Sequence, residues 1–115
     1  MLIFILKKEC FEKIEKGEKT VEYREVKPYW THRIQNSGCL GILYSESLFL
    51  KWLKSFGQQG VTTTYTYAEF RLGYTKKHLK AAIDRIAIVN GMESDLKIDK
   101  PVYAFYFHLS ENRTW

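Results

Sequence analysis

The chain has 115 residues, of which 45% are hydrophobic and 16% aromatic, so we expect one folded domain and exclude a disordered chain. The formal net charge of +5 favours anionic partners such as nucleic acid. Two cysteines and three histidines lack zinc-ligand spacing, so neither a metal site nor a cofactor is predicted. No stretch reaches transmembrane length and the N-terminus lacks signal-peptide features, which predicts a protein of the reducing cytoplasm with no membrane partner.

The N-terminal residues predict a strand followed by a short helix. Residues 2–6 are an apolar run that suits a buried strand. Phe11 and Ile14 recur at helical spacing within residues 9–16, which indicates an amphipathic helix. Gly17 then has the position of the left-handed residue that commonly ends a helix.

A charged strand follows this helix. The period changes to two, which places Val21 and Tyr23 on one face and Glu22 with Arg24 on the other. We therefore expect charge and core to be cleanly separated on this strand. Lys19 lies at the corner before it, where burial or a neighbouring arginine would lower the pKa of its ammonium group.

The middle of the chain predicts short elements and one amphipathic helix. Residues 30–34 can form a helical turn, residues 36–38 a reverse turn, and residues 42–44 a short strand. Ser45 can cap the helix that follows. Its apolar stripe either packs on the sheet or docks a protein partner, and the stripe consists of Phe49, Trp52, Leu53 and Phe56.

The C-terminal half predicts three further strands, over residues 61–72, 83–89 and 102–109. Residues 75–80 are a basic segment of irregular or helical structure, and residues 90–91 are a strong turn signal. Five or six strands with two or three short helices indicate an α+β domain built around a curled sheet. From the pattern alone, an open sheet and a barrel are equally acceptable.

Four residues near the first helix form the pattern G-x-K-x-x-E-x-R: Gly17, Lys19, Glu22 and Arg24. With the strand and helix that precede it, this pattern resembles the signature of the ASCH domain, a small β-barrel related to the PUA fold. Residues 27–30, which follow the pattern, belong to the same resemblance, and residues 70–74 and the closing aromatic strand are similar to the prophage-type branch of that family. The resemblance covers about residues 1–34 and 65–110 of a single domain over 1–115, and residues of about 35–64 have no counterpart in it. It implies a PUA-like β-barrel.

The resemblance also implies a function. Members of the family bind RNA, so we expect RNA, or a nucleotide or modified nucleoside derived from it, in a cleft around Lys19, Glu22 and Arg24. Arg24 would hold phosphate or fix Glu22, Glu22 would read a base edge or accept a proton, and Lys19 would supply positive charge.

The alternative function is hydrolysis. One branch of the family removes the acetyl group of N4-acetylcytidine with a catalytic set that resembles lysine, threonine and glutamate, and other members resemble ribonucleases. Lys19 matches the lysine, and Glu22 stands where the threonine is expected. Glu69 could supply the later glutamate from another strand.

The Glu-aromatic-Arg pattern occurs a second time, at Glu69 and Arg71. If the two strands meet, two carboxylates and two guanidinium groups surround one cavity. The alternative is a pair of surface ion pairs, each worth about 0 to 1 kcal/mol.

Aromatic and basic residues could form the rim of the cleft, because aromatic faces stack bases and cations hold phosphates. Half or more of the aromatic members can instead be ordinary packing, Trp30 above all, and the lysines can be a solvated surface. The candidate rim is Tyr29, Trp30, Arg33, Tyr65, Tyr67, Tyr74, Lys76 and Lys77.

Overall fold

The computed structural model describes residues 1–37, 45–63 and 66–110, so the strand predicted over 42–44 and the rim residue Tyr65 lie outside the described residues. Within these ranges the chain forms three α-helices and six strands. In chain order they are β1 (Leu2–Leu6), α1 (Lys8–Glu15), β2 (Val21–Glu25), α2 (Pro28–Ser37), α3 (Glu46–Lys54), β3 (Val61–Thr62), β4 (Tyr67–Leu72), β5 (His78–Asn90) and β6 (Pro101–Leu109).

The strands form one curled, mixed sheet in the order β1-β4-β5-β6-β2, with β3 added on β5. β1 pairs with β4 in parallel, and the other pairings are antiparallel. β1 and β2 are therefore the two edge strands of the path. The α+β class and the number of strands are confirmed, whereas the PUA-like identity of the fold stays a prediction.

The core lies between the inner face of the sheet and the three helices. Aromatic rings dominate it, and Phe4 contacts Phe70 and Phe105 at ring centroid distances of 5.3 and 5.0 Å. In α3, Phe49 and Leu53 are buried in this core, whereas Phe56 is exposed. Most of the predicted apolar stripe of α3 thus packs on the sheet.

Two predicted boundaries are wrong because tertiary pairing overrides local pattern. The single strand predicted over 61–72 is divided into β3 and β4, which pair with β5 on either side of a bulge between Ile83 and Arg85. β5 begins at His78 instead of residue 83, because His78 pairs with Arg71 of β4.

The helix after β2 is also longer than predicted. α2 runs from Pro28 to Ser37 and so includes Asn36 and Ser37, which were predicted to form a turn. Pro28 is the first helical residue, a position where its fixed φ and missing N–H are tolerated.

Candidate functional site

The candidate site lies where the curled sheet fails to close, between the edge strands β1 and β2. A cavity of about 630 Å³ opens there, which we call the seam cavity. Arg24 of β2 reaches across the opening, and its Nη2 donates to the main-chain oxygen of Ile5 in β1 at 3.3 Å. Residues in and beside α1, residues in and beside β2, Trp30 of α2, and the segment after β5 line the cavity. They include Lys7, Cys10, Lys13, Lys19, Glu22, Tyr23, Arg24, Glu25, Lys27, Trp30, Asp95 and Leu96.

Lys19 is placed by the C-terminus of α1. Gly17 has a φ of 78°, as predicted for the residue that ends the helix. The N–H groups of Gly17 and Glu18 donate to the carbonyls of Ile14 and Lys13 at 3.0 and 2.9 Å, which is the Schellman pattern. This reversal directs the chain from α1 into β2 and places Lys19 two residues before the first residue of the strand.

Four charged side chains form a continuous network in the seam cavity. The Nζ of Lys19 lies 2.9 Å from Oε1 of Glu22 and 2.7 Å from Oδ2 of Asp95. The Nη2 of Arg24 lies 2.7 Å from Oε2 of Glu22. Glu22 is 3% exposed, so a buried carboxylate is held with one cation on each oxygen.

Arg24 combines this ion pair with aromatic contacts. Its guanidinium carbon lies 5.3 Å from the ring centroid of Trp30 and 5.4 Å from that of Phe4. Among the described residues its Nη1 has no hydrogen-bond partner, because Nε and Nη2 make the bonds to Glu22 and Ile5. The Nη1 group at the edge of a fixed guanidinium therefore keeps its donors for a ligand.

The network raises the pKa of Lys19 above its ordinary value. Burial, the largest single influence, lowers it, but attraction to Glu22 and hydrogen bonds to Asp95 and Glu22 together outweigh burial. Burial therefore acts in the expected direction, but the two carboxylates, which that expectation left out, reverse the net shift. Lys19 is a firmly held ammonium ion at neutral pH.

The sequence prediction also placed the charges on the wrong side of β2. Glu22 and Arg24 do share a face, but that face is turned inward, opposite Phe105 and Tyr103 of β6. Val21 is on the half-buried outer face. The inversion is tolerated because β2 is an edge strand whose inner charges are neutralised by Lys19 and Asp95.

The open edge of β2 adds main-chain groups to the cavity. Val26 N–H donates to Pro101, and Phe107 N–H donates to Thr20, so even-numbered residues bond to β6. By the antiparallel alternation, the N–H and C=O of Tyr23 point away from β6 towards the seam. Within the described residues β2 has no other strand partner, so this donor and acceptor are free.

Comparisons with protein-family models, with curated proteins and with solved structures found no match. The function must therefore be argued from the geometry of the chain itself. In residues 1–37, 45–63 and 66–110, no helix has the length and apolar character needed to cross a bilayer. No group of three His, Cys, Asp or Glu side chains in those ranges is arranged to hold a metal ion.

The second Glu-x-Arg pair does not join the seam cavity. Glu69 and Arg71 lie on the outer face of β4, where they form an ion pair with each other. They line a separate cavity of about 380 Å³ together with Thr75, Lys76 and His78. The predicted single cavity with four charges from two Glu-x-Arg pairs is therefore not formed, and Glu69 is not positioned beside Lys19.

The predicted rim residues are dispersed. Trp30 stacks on Phe4 at 4.9 Å and is nearly buried, although it also lines the seam cavity. Tyr29 is exposed, and the guanidinium carbon of Arg33 lies 4.9 Å from its ring centroid outside that cavity. Lys77 pairs with Glu15 at 3.5 Å. Tyr67 and Tyr74 are exposed, and Lys76 is at the second cavity.

Asp95 is the main residue that sequence reasoning missed. It lies 76 positions after Lys19, in the segment that follows the turn at residues 90–91. Nothing in its local sequence distinguishes it from other surface aspartates. Lys7 and Lys13 were also missed, because lysines just before and within a short amphipathic helix are typical of an ordinary solvated surface.

Proposed function

We propose that the seam cavity binds one nucleotide of RNA, or a free nucleotide derived from RNA. The observation that carries this proposal is the network in which Lys19 and Arg24 hold the buried carboxylate of Glu22 in the lining of an open cavity of about 630 Å³. Ligand sites for small molecules commonly have volumes of about 300–1,000 Å³, and they pair apolar walls with a few fixed polar groups.

The charges of the cavity support an anionic ligand. Five basic side chains line it against three acidic ones. Lys7 and Lys13 are exposed on the α1 side and make no ion pair among the described residues. Together with the free Nη1 of Arg24 they can hold a phosphate, and arginine does so through a planar fork.

The remaining groups suit a base. The guanidinium plane of Arg24 is a surface of the kind on which bases stack in RNA complexes. The free N–H and C=O of Tyr23 form a donor and an acceptor side by side, which is the arrangement that a base edge can match. The resemblance of residues 17–24 to the ASCH signature supports the choice of RNA as the source of that nucleotide.

Binding ranks above hydrolysis because of the state of Lys19. A lysine that serves as a base or nucleophile must lose its proton, and the network raises the pKa of Lys19. Glu69, the other candidate catalytic carboxylate, lies at the second cavity. Of the predicted catalytic residues this leaves Glu22, whose two oxygens are already bound by cations.

The test measures binding of a short, end-labelled single-stranded RNA by fluorescence anisotropy at two salt concentrations. We expect Lys19→Ala and Arg24→Lys each to weaken binding by about 10-fold or more, since one contact of this kind is worth about 1–3 kcal/mol. Arg24→Lys keeps the positive charge next to Glu22 and removes the planar guanidinium with its several donors. Lys51→Ala, an exposed lysine of α3, is the matched control and should bind as the wild type does.

Two further readouts keep the test decisive. Circular dichroism melts confirm that each variant is folded, and unchanged affinity in both folded variants would refute the assignment of the seam cavity. Gel analysis of the same samples reports whether the RNA is intact. If the wild type shortens the RNA and Lys19→Ala does not, the protein is a ribonuclease and the proposed binding function is wrong.

A further inference from the structure

A second positively charged surface lies on the outer face of β4 and β5. Arg71 of β4 is paired with His78 of β5, and Glu69 is paired with Lys80, so these four side chains share that face. Lys76 lies in the connection before β5 and lines the same cavity as Arg71. We call Arg71, Lys76 and Lys80, with His78, the outer patch.

The donors of the outer patch are only partly used by the protein. The single ion pair of Arg71 runs from its Nε to Glu69, so its two terminal nitrogens have no bonding partner among the described residues. Lys76 and Lys80 are exposed and make no ion pair in the described ranges. Among the described residues of this face, three cations thus accompany the carboxylate of Glu69, which also lies 3.9 Å from Nε2 of His78.

Exposed aromatic side chains lie at both ends of this row. Tyr67 begins β4 on the same outer face and is 51% exposed. Tyr74, in the turn after β4, is 95% exposed. Aromatic rings interleaved with cations are typical of surfaces that bind single-stranded nucleic acid, where bases stack on the rings and phosphates contact the cations.

The outer patch is adjacent to the seam cavity. Ile5 of β1 lines the seam cavity, and its main-chain oxygen accepts the hydrogen bond from Arg24. The same Ile5 is the direct register partner of Arg71 in the parallel pair of β1 and β4. Neighbouring strands lie about 4.8 Å apart, so the exposed side chain of Ile5 lies between the two surfaces.

We infer that the ligand is a single-stranded polynucleotide that places one nucleotide in the seam cavity, crosses Ile5 and lays its next phosphates on the outer patch. This inference rests on the proposed function and narrows it from any nucleotide to a polymer. A free nucleoside or mononucleotide held in the seam cavity cannot reach Lys80, which lies on the far side of β4 from β1.

The experiment compares uridine 5′-monophosphate with a uridine hexanucleotide, which has little structure of its own. Affinities are measured for the wild type, Lys19→Ala, Arg71→Gln, Lys80→Gln and the control Lys51→Gln, over a series of salt concentrations. We expect the wild type to bind the hexanucleotide at least 10-fold more tightly than the monophosphate. Arg71→Gln and Lys80→Gln should remove most of that difference and leave monophosphate binding unchanged.

The salt dependence gives an independent measure. Removing one cation that neutralises a phosphate of a single strand reduces the slope of log K against log salt by about 0.7. The hexanucleotide slope should fall by about this amount in each patch variant and stay constant in Lys51→Gln. Arg71→Gln also removes the ion pair with Glu69. Lys80→Gln changes an exposed side chain, so its result still tests the inference if the loss of that ion pair disturbs the structure around Glu69.

The outcomes separate this inference from the proposed function. If the wild type binds the two ligands with equal affinity, the inference that the ligand is a polymer is wrong, but binding in the seam cavity is not contradicted. The same conclusion follows if Arg71→Gln and Lys80→Gln bind the hexanucleotide as tightly as the wild type does. Failure of both ligands to bind the wild type overturns the proposed function and this inference with it. Hexanucleotide binding that needs Arg71 but not Lys19 would refute the shared path and leave the outer patch as an isolated anion site.

Discussion

At the scale of single residues, the buried carboxylate of Glu22 dominates the site. Removing a charged pair from water is costly, and the attraction between partners offsets this cost only if each remaining lone pair or proton is bound. Lys19 and Arg24 bind separate oxygens of Glu22, and Asp95 forms a second ion pair with Lys19. The network is thus locally neutral and fixed before any ligand arrives.

We predict that Glu22→Gln lowers the pKa of Lys19. Attraction to Glu22 is the largest influence that raises this pKa, while burial of the ammonium group persists in the variant. NMR titration of the lysine ε-carbons measures the change. Asp95→Asn should lower the pKa of Lys19 by a smaller amount, and a pKa of Lys19 that is unchanged in Glu22→Gln would contradict the network.

Part of this network could be predicted from the sequence. Lys19, Glu22 and Arg24 are close together in the sequence. The end of α1 and the two-residue period of β2 are therefore enough to predict that the three side chains share one site. Asp95 could not be predicted, because its contact with Lys19 depends on how a distant segment folds. The inward direction of Glu22 depends on which edge β2 occupies, and this is a property of the whole sheet.

At the scale of elements, two glycines permit the turns that frame the sheet. Gly17 ends α1 with a φ of 78°, and a Cβ added there would contact nothing within 4 Å. Gly60 precedes β3 with a φ of 64°, and a Cβ there would collide with the main-chain oxygen of Ile86 and lie 2.6 Å from the Cβ of Ala87. Both positions strain an L-residue, but only Gly60 also produces a clash.

We therefore predict different costs for the same substitution at these two sites. Gly17→Ala should lower the free energy of unfolding by about 1 to 2 kcal/mol, the strain of a left-handed residue. Gly60→Ala should lower it by more than about 3 kcal/mol, because the backbone of β5 must also move. Denaturation in urea measures both, and similar costs would show that the packing at Gly60 is incorrectly described.

The elements themselves were predictable where a periodic pattern was long enough. The apolar spacing of α1 and α3 identified both helices, and Ser45 caps α3 by accepting from the N–H of Leu48 at 3.4 Å, as expected. The division of 61–72 into β3 and β4 was not predictable. It depends on the bulge in β5, and no local signal in residues 61–72 reports a bulge in another strand.

At the scale of the whole molecule, α2 ties together strands from opposite parts of the sheet. Trp30 stacks on Phe4 of β1, and the hydroxyl groups of Thr31 and Tyr103 of β6 are 2.5 Å apart. Thr31 and Tyr103 are completely buried. The helix thus spans the space between the edge strand β1 and the inner strand β6, which keeps the open sheet in its curled form.

The stability of the molecule should fall at high pH because the phenol of Tyr103 is buried. Burial raises the pKa of Tyr103 to about 12 from an ordinary value of 10.0. The folded chain therefore keeps the phenolic proton where the unfolded chain loses it, so the stabilisation is complete below pH 10 and is lost as the pH rises from about 10 to 12. The expected loss is about 2 to 3 kcal/mol.

Tyr103→Phe separates this effect from the titration of Lys19 and Tyr23, whose pKa values are also raised. The variant lacks the phenol, so its free energy of unfolding should decline less steeply between pH 10 and 12. It should be less stable near neutral pH by about 1 kcal/mol, because Thr31 loses its partner. Parallel pH profiles for the two proteins would show that Tyr103 is not the group responsible.

The open seam also bears on how the chain avoids aggregation. Within the described residues β1 and β2 each lack a strand partner on one side, and such edges can pair with another extended strand. Proteins often protect these edges with inward-pointing charges. Glu22 and Arg24 are charges of this kind on β2, and Arg24 covers the free carbonyl of Ile5 on β1. Another strand that paired with β2 would have to displace this bridge and bury the network further. The residues proposed to hold a ligand therefore also oppose association of the two edges with other chains.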